Sequence, residues 1–269
     1  MAPPRFDPVA EVVSSFTALF ANVLLAAPNA IATLVPVIVF LSFGGTALMR
    51  SVMSPDTLRD PNALQKIFTP SLLVGLATSV VIFLALTLLA TAATYGGSVD
   101  VLSSRRIDLA SLLARGLKHA GSIFVYGLVL VVAAIAAELV VALLGIISHG
   151  VLALLLAIPL FIAALIAGFL LIYGLPALIA GGMDALDAMG ESADVARDNV
   201  GATFILILAL IGVSIVSQIL GSILGFIPIV GLLIGVLLQA LSTTYMALVT
   251  TRFYMGLSRP AVPPAPTST

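Results

Sequence analysis

Six long apolar segments constrain the fold of this chain more than any other feature. They lie at about 29 to 48, 70 to 93, 122 to 147, 151 to 175, 202 to 224 and 228 to 251. A helix needs about 20 predominantly apolar residues to cross roughly 30 Å of bilayer hydrocarbon, and each segment meets that requirement. Hydrophobic residues make up 61% of the chain and charged residues only 9%, so lipid is the solvent for most of it. The sequence therefore predicts an all-α integral membrane protein with six transmembrane helices.

The basic residues predict how these helices are oriented. An even number of spans puts both termini on one side, and cytoplasmic loops carry the excess of Lys and Arg. With the termini inside, eight basic residues are cytoplasmic and three are external, namely Arg50, Arg59 and Lys66. We expect a multi-pass protein of the cell (cytoplasmic) membrane with both termini cytoplasmic. The N-terminus lacks the basic region and short apolar run of a removable signal peptide.

The spans are predicted to form three repeats, each a cytoplasmic amphipathic helix followed by a transmembrane hairpin. Amphipathic segments precede the odd-numbered spans at 8 to 22, 105 to 119 and 183 to 199. Positions 80 residues apart match between the second and third units, as at Gly121 and Gly201, although shared apolar composition is an alternative explanation. The first unit shares with the third only a Ser-x6-Asn spacing, at Ser15 to Asn22 and at Ser192 to Asn199. Residues 1–257 form the transmembrane domain, and 258–269 are a Pro/Ser/Thr-rich tail predicted to be disordered.

Two further patterns predict how the helices pack. Four tyrosines near the predicted cytoplasmic ends are expected to form an aromatic belt. They are Tyr95, Tyr126, Tyr173 and Tyr254. Two small-xxx-small pairs flank the last hairpin and predict close approach of the fifth and sixth spans. These pairs are Gly221 with Gly225 and Gly231 with Gly235.

Glu138 is the single carboxylate inside a predicted span. A charge there costs at least about 2.5 kcal/mol on insertion scales, so the residue requires an explanation. Gln218 lies 17 residues beyond Gly201, as Glu138 lies 17 beyond Gly121, which places both at the same predicted depth. A protonated Glu138 donating to the Gln218 carboxamide would satisfy both groups without a buried charge. This intramembrane polar pair is either a packing hydrogen bond or a proton- or cation-responsive site of a transporter, and the lack of an intramembrane Lys, Arg or His partner favours packing.

An acidic stripe marks the third amphipathic helix. Five of the twelve acidic residues fall on one narrow face of it: Asp184, Asp187, Glu191, Asp194 and Asp198. Like charges at this spacing repel one another, as anionic headgroups would repel them, so the stripe should face the cytosol. It is a solvated face, a partner for basic residues of the preceding cytoplasmic segment, or a surface that docks a basic protein or weakly binds a divalent cation. The basic counterparts are Arg105, Arg106, Arg115 and Lys118.

The segment "ALDAMGESADVARDNVG", the turn "FIPIVG" and the ending "TRFYMGL" together resemble a known family. It is a family of functionally uncharacterised six-helix prokaryotic membrane proteins, which is also found as the membrane domain attached to some glycerophosphodiester phosphodiesterases. The resemblance is clearest over about residues 175 to 257 and weaker toward the N-terminus, and its cytoplasmic motif is matched by Ala185, Leu186, Ser192, Arg197 and Asn199. Ala193 stands where an aromatic residue is common, and no soluble phosphodiesterase domain is present. The resemblance implies a membrane module without known chemistry.

The inventory of chemical groups predicts no enzyme. With no cysteine, no recognised catalytic motif and two histidines that should face opposite sides of the membrane, no metal or cofactor site is expected. A net charge of -1 predicts no nucleic-acid partner. We expect a membrane scaffold or envelope-associated accessory protein whose partners are the lipid bilayer and a protein at the cytoplasmic face. The alternative is a small-solute or lipid transporter using Glu138, and a lipid-headgroup enzyme ranks third.

Overall fold

The structure, a computed structural model, describes residues 6–45, 69–147, 151–224 and 230–258. Within these ranges the chain is helical apart from short turns and contains no β-strand. The helices described are α1 (Pro8–Ala21), α2 (Ala27–Phe40), α3 (Pro70–Leu102), α4 (Leu109–Ile147), α5 (Val151–Leu170), α6 (Gly174–Ala180), α7 (Ala185–Asp198), α8 (Val200–Leu224) and α9 (Val230–Leu257). Six helical segments within the described ranges are long and apolar enough to cross a membrane, which confirms the all-helical prediction and supports a multi-pass membrane protein.

Side chains at the helix ends explain several of these boundaries. Asp7 accepts hydrogen bonds from the N–H groups of Val9 and Ala10, and Pro8 begins α1 without needing a donor. Thr69 caps α3 in the same way, ahead of a proline in the first turn. A 3-10 turn (Val23–Ala26) joins α1 to α2, and a π-helical turn (Leu41–Gly45) continues α2.

The second predicted surface helix is not a separate element, and this corrects the sequence interpretation. Helix α4 (Leu109–Ile147) runs without a break through 39 residues, so residues 109 to 119 of the predicted segment and the following span form one continuous helix. Helices α1 and α7 both end at an asparagine, Asn22 and Asn199. The residue 80 positions before Asn199 is His119, which provides no such cap, and the helix continues past it.

Most buried side chains lie in one region of the bundle, which we call the packed end. It is formed by α1, α6 and α7 together with the end of α3, the first half of α4, the start of α8 and the end of α9. Its interior contains Leu112, Tyr173, Leu178, Leu206, Leu248 and Phe253, all nearly or fully buried. Helix α9 packs against α1, α2, α3, α6 and α8, so it is the central element of the bundle.

Helices α4 and α5 extend away from the packed end as an antiparallel pair, here called the arm. Every residue from Val131 to Val140 is exposed, as are Phe161 to Gly168 on α5. These residues are almost all apolar, and lipid is the medium that such surfaces require. The arm is therefore the part of the described structure that presents most of its circumference to the bilayer.

Several predicted features lie outside the described residues. They are the external basic residues Arg50, Arg59 and Lys66, the turn at 148–150 with His149, the turn at 225–229 with Gly225, and the tail from Arg259 onward.

Candidate functional site at the packed end

Hydrogen bonds of a buried serine hold helix α7 against the bundle. The Ser192 hydroxyl donates to the carbonyl of Leu170 at 2.7 Å and accepts from the N–H of Tyr173 at 3.0 Å. Those two backbone groups lie at the break between α5 and α6, where a helix end leaves donors and acceptors without partners. Sequence reasoning identified Ser192 only through a family resemblance and the Ser-x6-Asn spacing, whereas its hydrogen bonds show that it holds three helices together.

The amphipathic pattern predicts that α7 buries an apolar face opposite the acidic stripe, formed by Ala185, Leu186, Met189, Ala193 and Ala196, and the structure corrects this in part. Ala185, Ala188, Ser192, Val195 and Ala196 are buried against the bundle. Leu186, which was assigned to the apolar face, is 68% exposed. Around the helix axis, the buried face lies between the acidic stripe and Leu186. Its small residues allow α7 to approach its neighbours closely.

The acidic stripe lies on a helix, as predicted, but its members have different environments. Asp184 is the N-cap of α7 and accepts from the N–H groups of Leu186 and Asp187. Glu191 is half-buried beside Tyr254, while Asp187, Asp194 and Asp198 are exposed. Within the described ranges no ion pair involves any of the five. Three carboxylates therefore point outward from a firmly held helix.

The predicted basic counterparts do not meet this stripe. The Arg115 guanidinium lies 2.6 Å from the Asp100 carboxylate, and Arg105 lies 3.4 Å from the same oxygen. Asp100 ends the second span with its side chain only 8% exposed, so two guanidinium groups compensate one nearly buried charge. Arg106 and Lys118 are exposed and make no ion pair with the described residues. Asp100 ends the segment "ATAATYGGSVD", which is rich in Ala and Gly. A carboxylate at the end of such a segment is the sequence signal that could have identified it.

Helix α1 turns part of its polar side toward the protein. Arg252 of α9 lies 3.4 Å from Glu11 and donates to the hydroxyl of Ser14, and Tyr245 donates to the carbonyl of Val12 at 3.1 Å. The apolar side chains of α1 are largely outside, since Val9, Val13, Phe16 and Phe20 are exposed. A helix with this arrangement places its hydrophobic residues where lipid lies.

A buried asparagine joins three spans. The Asn29 side-chain amide donates to Thr94 of α3 at 3.0 Å and to Thr244 of α9 at 2.9 Å. All three side chains are buried. Polar side chains that bond across helices hold membrane bundles together. An asparagine at the start of an apolar span is the sequence signal that could have identified this contact.

Glycines allow close packing between α3 and α4 rather than at the predicted pairs. A Cβ on Gly116 would lie 2.9 Å from the Leu89 carbonyl oxygen, and one on Gly97 would collide with the Leu112 side chain. At Gly221 and Gly235 a Cβ would meet open space. The small-xxx-small interpretation is therefore wrong at those two positions.

The four tyrosines do not form a belt facing lipid, and this expectation is wrong. Tyr126, Tyr173 and Tyr254 are buried in the packed end, and Tyr95 packs against the same core. Tyr126 donates to the Leu171 carbonyl at 3.4 Å, and the Tyr173 hydroxyl lies 3.1 Å from the hydroxyl of Thr203. Helices α6 and α7 pack over this end of the bundle, so the tyrosines are covered by protein and do not face lipid.

The structure does not bring Glu138 and Gln218 together. Both side chains are exposed, and no hydrogen bond joins them. Helix α4 packs against α3 and α5, whereas α8 packs against α9 and α1, so the two residues occupy different parts of the bundle. The carboxyl of Glu138 consequently faces the lipid-exposed side of the arm.

Two apolar cavities lie between helices. One of about 560 Å³ is bordered by α1, α8 and α9 and includes the stacked rings of Phe16 and Tyr245. The other, of about 470 Å³, lies where α3 and α4 diverge, between Leu84 and Val131. Glu138 lines neither cavity.

The described residues contain no group of three His, Asp or Glu side chains arranged to hold a metal ion. Comparisons with protein-family models, with curated proteins and with solved structures gave no match for this chain.

Proposed function

We propose that this protein is a non-enzymatic membrane scaffold that presents the acidic flank of α7 to a basic protein partner at the cytoplasmic face. The observation that carries the proposal is the contrast between the two sides of α7. One side is fixed by Ser192 and four small buried residues, while Asp187, Asp194 and Asp198 project outward without ion-pair partners in the described structure. A rigid helix with unpaired like charges favours an oppositely charged surface.

A photo-crosslinking experiment tests this proposal. Gly190 is exposed beside the stripe, and a side chain there meets open space, so it accepts a photoreactive residue. We expect a discrete protein adduct from Gly190 that disappears when Asp187, Asp194 and Asp198 are replaced together by Asn. Leu117, 70% exposed on α4, is the control position. The proposal fails if no adduct forms at Gly190 or if the triple Asn variant yields the same adduct.

The cytoplasmic location of the packed end is part of the proposal. It is supported by the cluster of Arg105, Arg106, Arg115 and Lys118 at that end, since cytoplasmic loops are enriched in basic residues. The chain has no cysteine, so Arg106→Cys introduces a unique thiol. In intact cells this thiol should resist a membrane-impermeant maleimide and should react after permeabilisation. Labelling of intact cells would place the packed end outside.

A repeat relationship between α1–α2 and α7–α8 is also proposed. Asn22 and Asn199 end α1 and α7 with nearly the same backbone angles, φ -133 and -128, and each side chain donates to the carbonyl four residues earlier. Ser15 and Ser192, seven residues before each asparagine, are both fully buried. These shared details support the idea that both pairs descend from one interfacial helix followed by a span. Family membership, suggested by the motif around α7, belongs to the same proposal.

A further inference from the structure

Glu138 and Gln218 share an unusual situation. Each is an exposed polar side chain on a helix segment whose neighbours are mostly apolar, and neither forms a hydrogen bond within the described structure. In hydrocarbon neither water nor lipid tails supply hydrogen-bond partners, so such side chains normally face another protein surface. Each therefore requires a partner that the described part of its own chain does not supply.

The two side chains lie at similar heights above the packed end. Tyr126 of α4 donates a hydrogen bond to the carbonyl of Leu171, and Thr203 of α8 shares one with the hydroxyl of Tyr173. Leu171 and Tyr173 both lie at the junction of α5 and α6, so they provide a common reference for the two helices. Glu138 is about 18 Å beyond Tyr126 along α4, and Gln218 is about 22 Å beyond Thr203 along α8, at 1.5 Å per residue. Both helices run away from the packed end, and the rises counted from these two residues differ by only about 4 Å.

We infer that a second copy of this chain supplies both partners, with Glu138 of one copy bonded to Gln218 of another. Copies inserted in the same membrane have the same orientation, so the matched heights within one chain become matched heights between chains. A carboxamide donates through its N–H groups to a carboxyl oxygen, and its carbonyl accepts the carboxyl proton when that proton is present. The exposed face of the arm is thus an interface with the α8 face of a neighbouring copy.

The absence of cysteine makes a direct test possible. One full-length chain carries Ala142→Cys and a second, differently tagged chain carries Ser222→Cys. Each position is exposed and lies four residues beyond Glu138 or Gln218, on the same face, so both native side chains remain in place. Mild oxidation in membranes joins two thiols only when their Cα atoms approach within about 7 Å. We expect a disulfide-linked dimer that carries both tags.

A matched control fixes the face of α4 involved. Val140→Cys replaces Ala142→Cys and places a thiol at another exposed position, on the far side of the helix from Glu138. We expect at least a fivefold lower yield of the mixed dimer with this control. Equal yields from both positions, no mixed dimer at all, or adducts only with other proteins would each overturn the inference.

Substitutions of the pair test its chemistry. Glu138→Leu and Gln218→Leu should each lower the mixed-dimer yield at least threefold at low protein-to-lipid ratio, and the double variant should lower it no further. Glu138→Gln keeps a donor and an acceptor and should retain most of the yield. Gln218→Leu supplies an independent result if Glu138→Leu fails to insert. Leu variants that fold normally and dimerise as the native chain does would show that the pair is not the contact.

Discussion

Replacing Asn29 by Ala measures how strongly the buried polar contact holds three spans together. The variant loses two hydrogen bonds, to Thr94 at 3.0 Å and to Thr244 at 2.9 Å. Hydrogen bonds between membrane helices average about 0.6 kcal/mol and reach about 1.7, so the two together contribute about 1–3 kcal/mol. We expect Asn29→Ala to lower the free energy of unfolding by that amount. Because the chain has no tryptophan, unfolding in mixed SDS micelles is followed by circular dichroism.

A matched pair of threonines isolates the contribution of one bond. Thr244 and Thr251 are both buried on α9, and each donates to the carbonyl four residues earlier at 2.7 Å. Only Thr244 also accepts from Asn29, so Thr244→Val should cost at least about 0.6 kcal/mol more than Thr251→Val. Combining Asn29→Ala with Thr244→Val should cost less than the sum of the two single effects. Strict additivity, together with equal costs for both threonines, would refute the reasoning.

Three further predictions concern the packed end. Gly116→Ala should destabilise the protein by about 1–3 kcal/mol because the new methyl group meets the Leu89 carbonyl, whereas Gly121→Ala, which meets open space, should be neutral or stabilising by up to about 1 kcal/mol in the same unfolding assay. Ser192→Ala should cost about 1–3 kcal/mol and speed amide exchange at Tyr173, while Ser122→Ala, at an exposed position, should do neither. A double-mutant cycle should show coupling of about 0.5–1 kcal/mol between Arg115 and Asp100, a value kept small by the partial exposure of Arg115. The same cycle between Arg115 and Glu191 should show no coupling. The reverse result would restore the predicted pairing of Arg115 with the acidic stripe.

The number and approximate positions of the spans could be predicted because length and apolarity determine what crosses a bilayer. Helix boundaries within the predicted repeats were harder to place. Surface helices and spans are both α-helical, so only the residues between them decide whether the chain breaks. Gly116 and Gly121 are residues at which a helix could end, yet α4 continues through both. Gly116 instead allows α4 to lie close to Leu89. Asn22 and Asn199 provide real stops, and their equivalent in α4 is absent.

Side-chain partners could be predicted less well than depths. Residue spacing gives the height of Glu138 or Gln218 along its helix, but the direction around the axis depends on which helices are neighbours. The arrangement of α4 beside α3, and of α8 beside α9, is a property of the whole bundle. In the same way, one interpretation of the acidic stripe paired it with Arg115, whereas the actual partner of Arg115 is Asp100, seven residues beyond the predicted end of the second span.

The uneven packing of the bundle also determines how it should respond to the membrane around it. The outer part of the arm exposes apolar side chains on most of its surface, whereas the packed end is held by hydrogen bonds and ion pairs between helices. A helix accommodates a thinner bilayer by tilting, at a modest cost per ångström of mismatch. The arm has few protein neighbours to resist such a tilt. A change in bilayer thickness should therefore move the arm first and reach α7 through its contacts with α4 and α5, including the hydrogen bonds of Ser192.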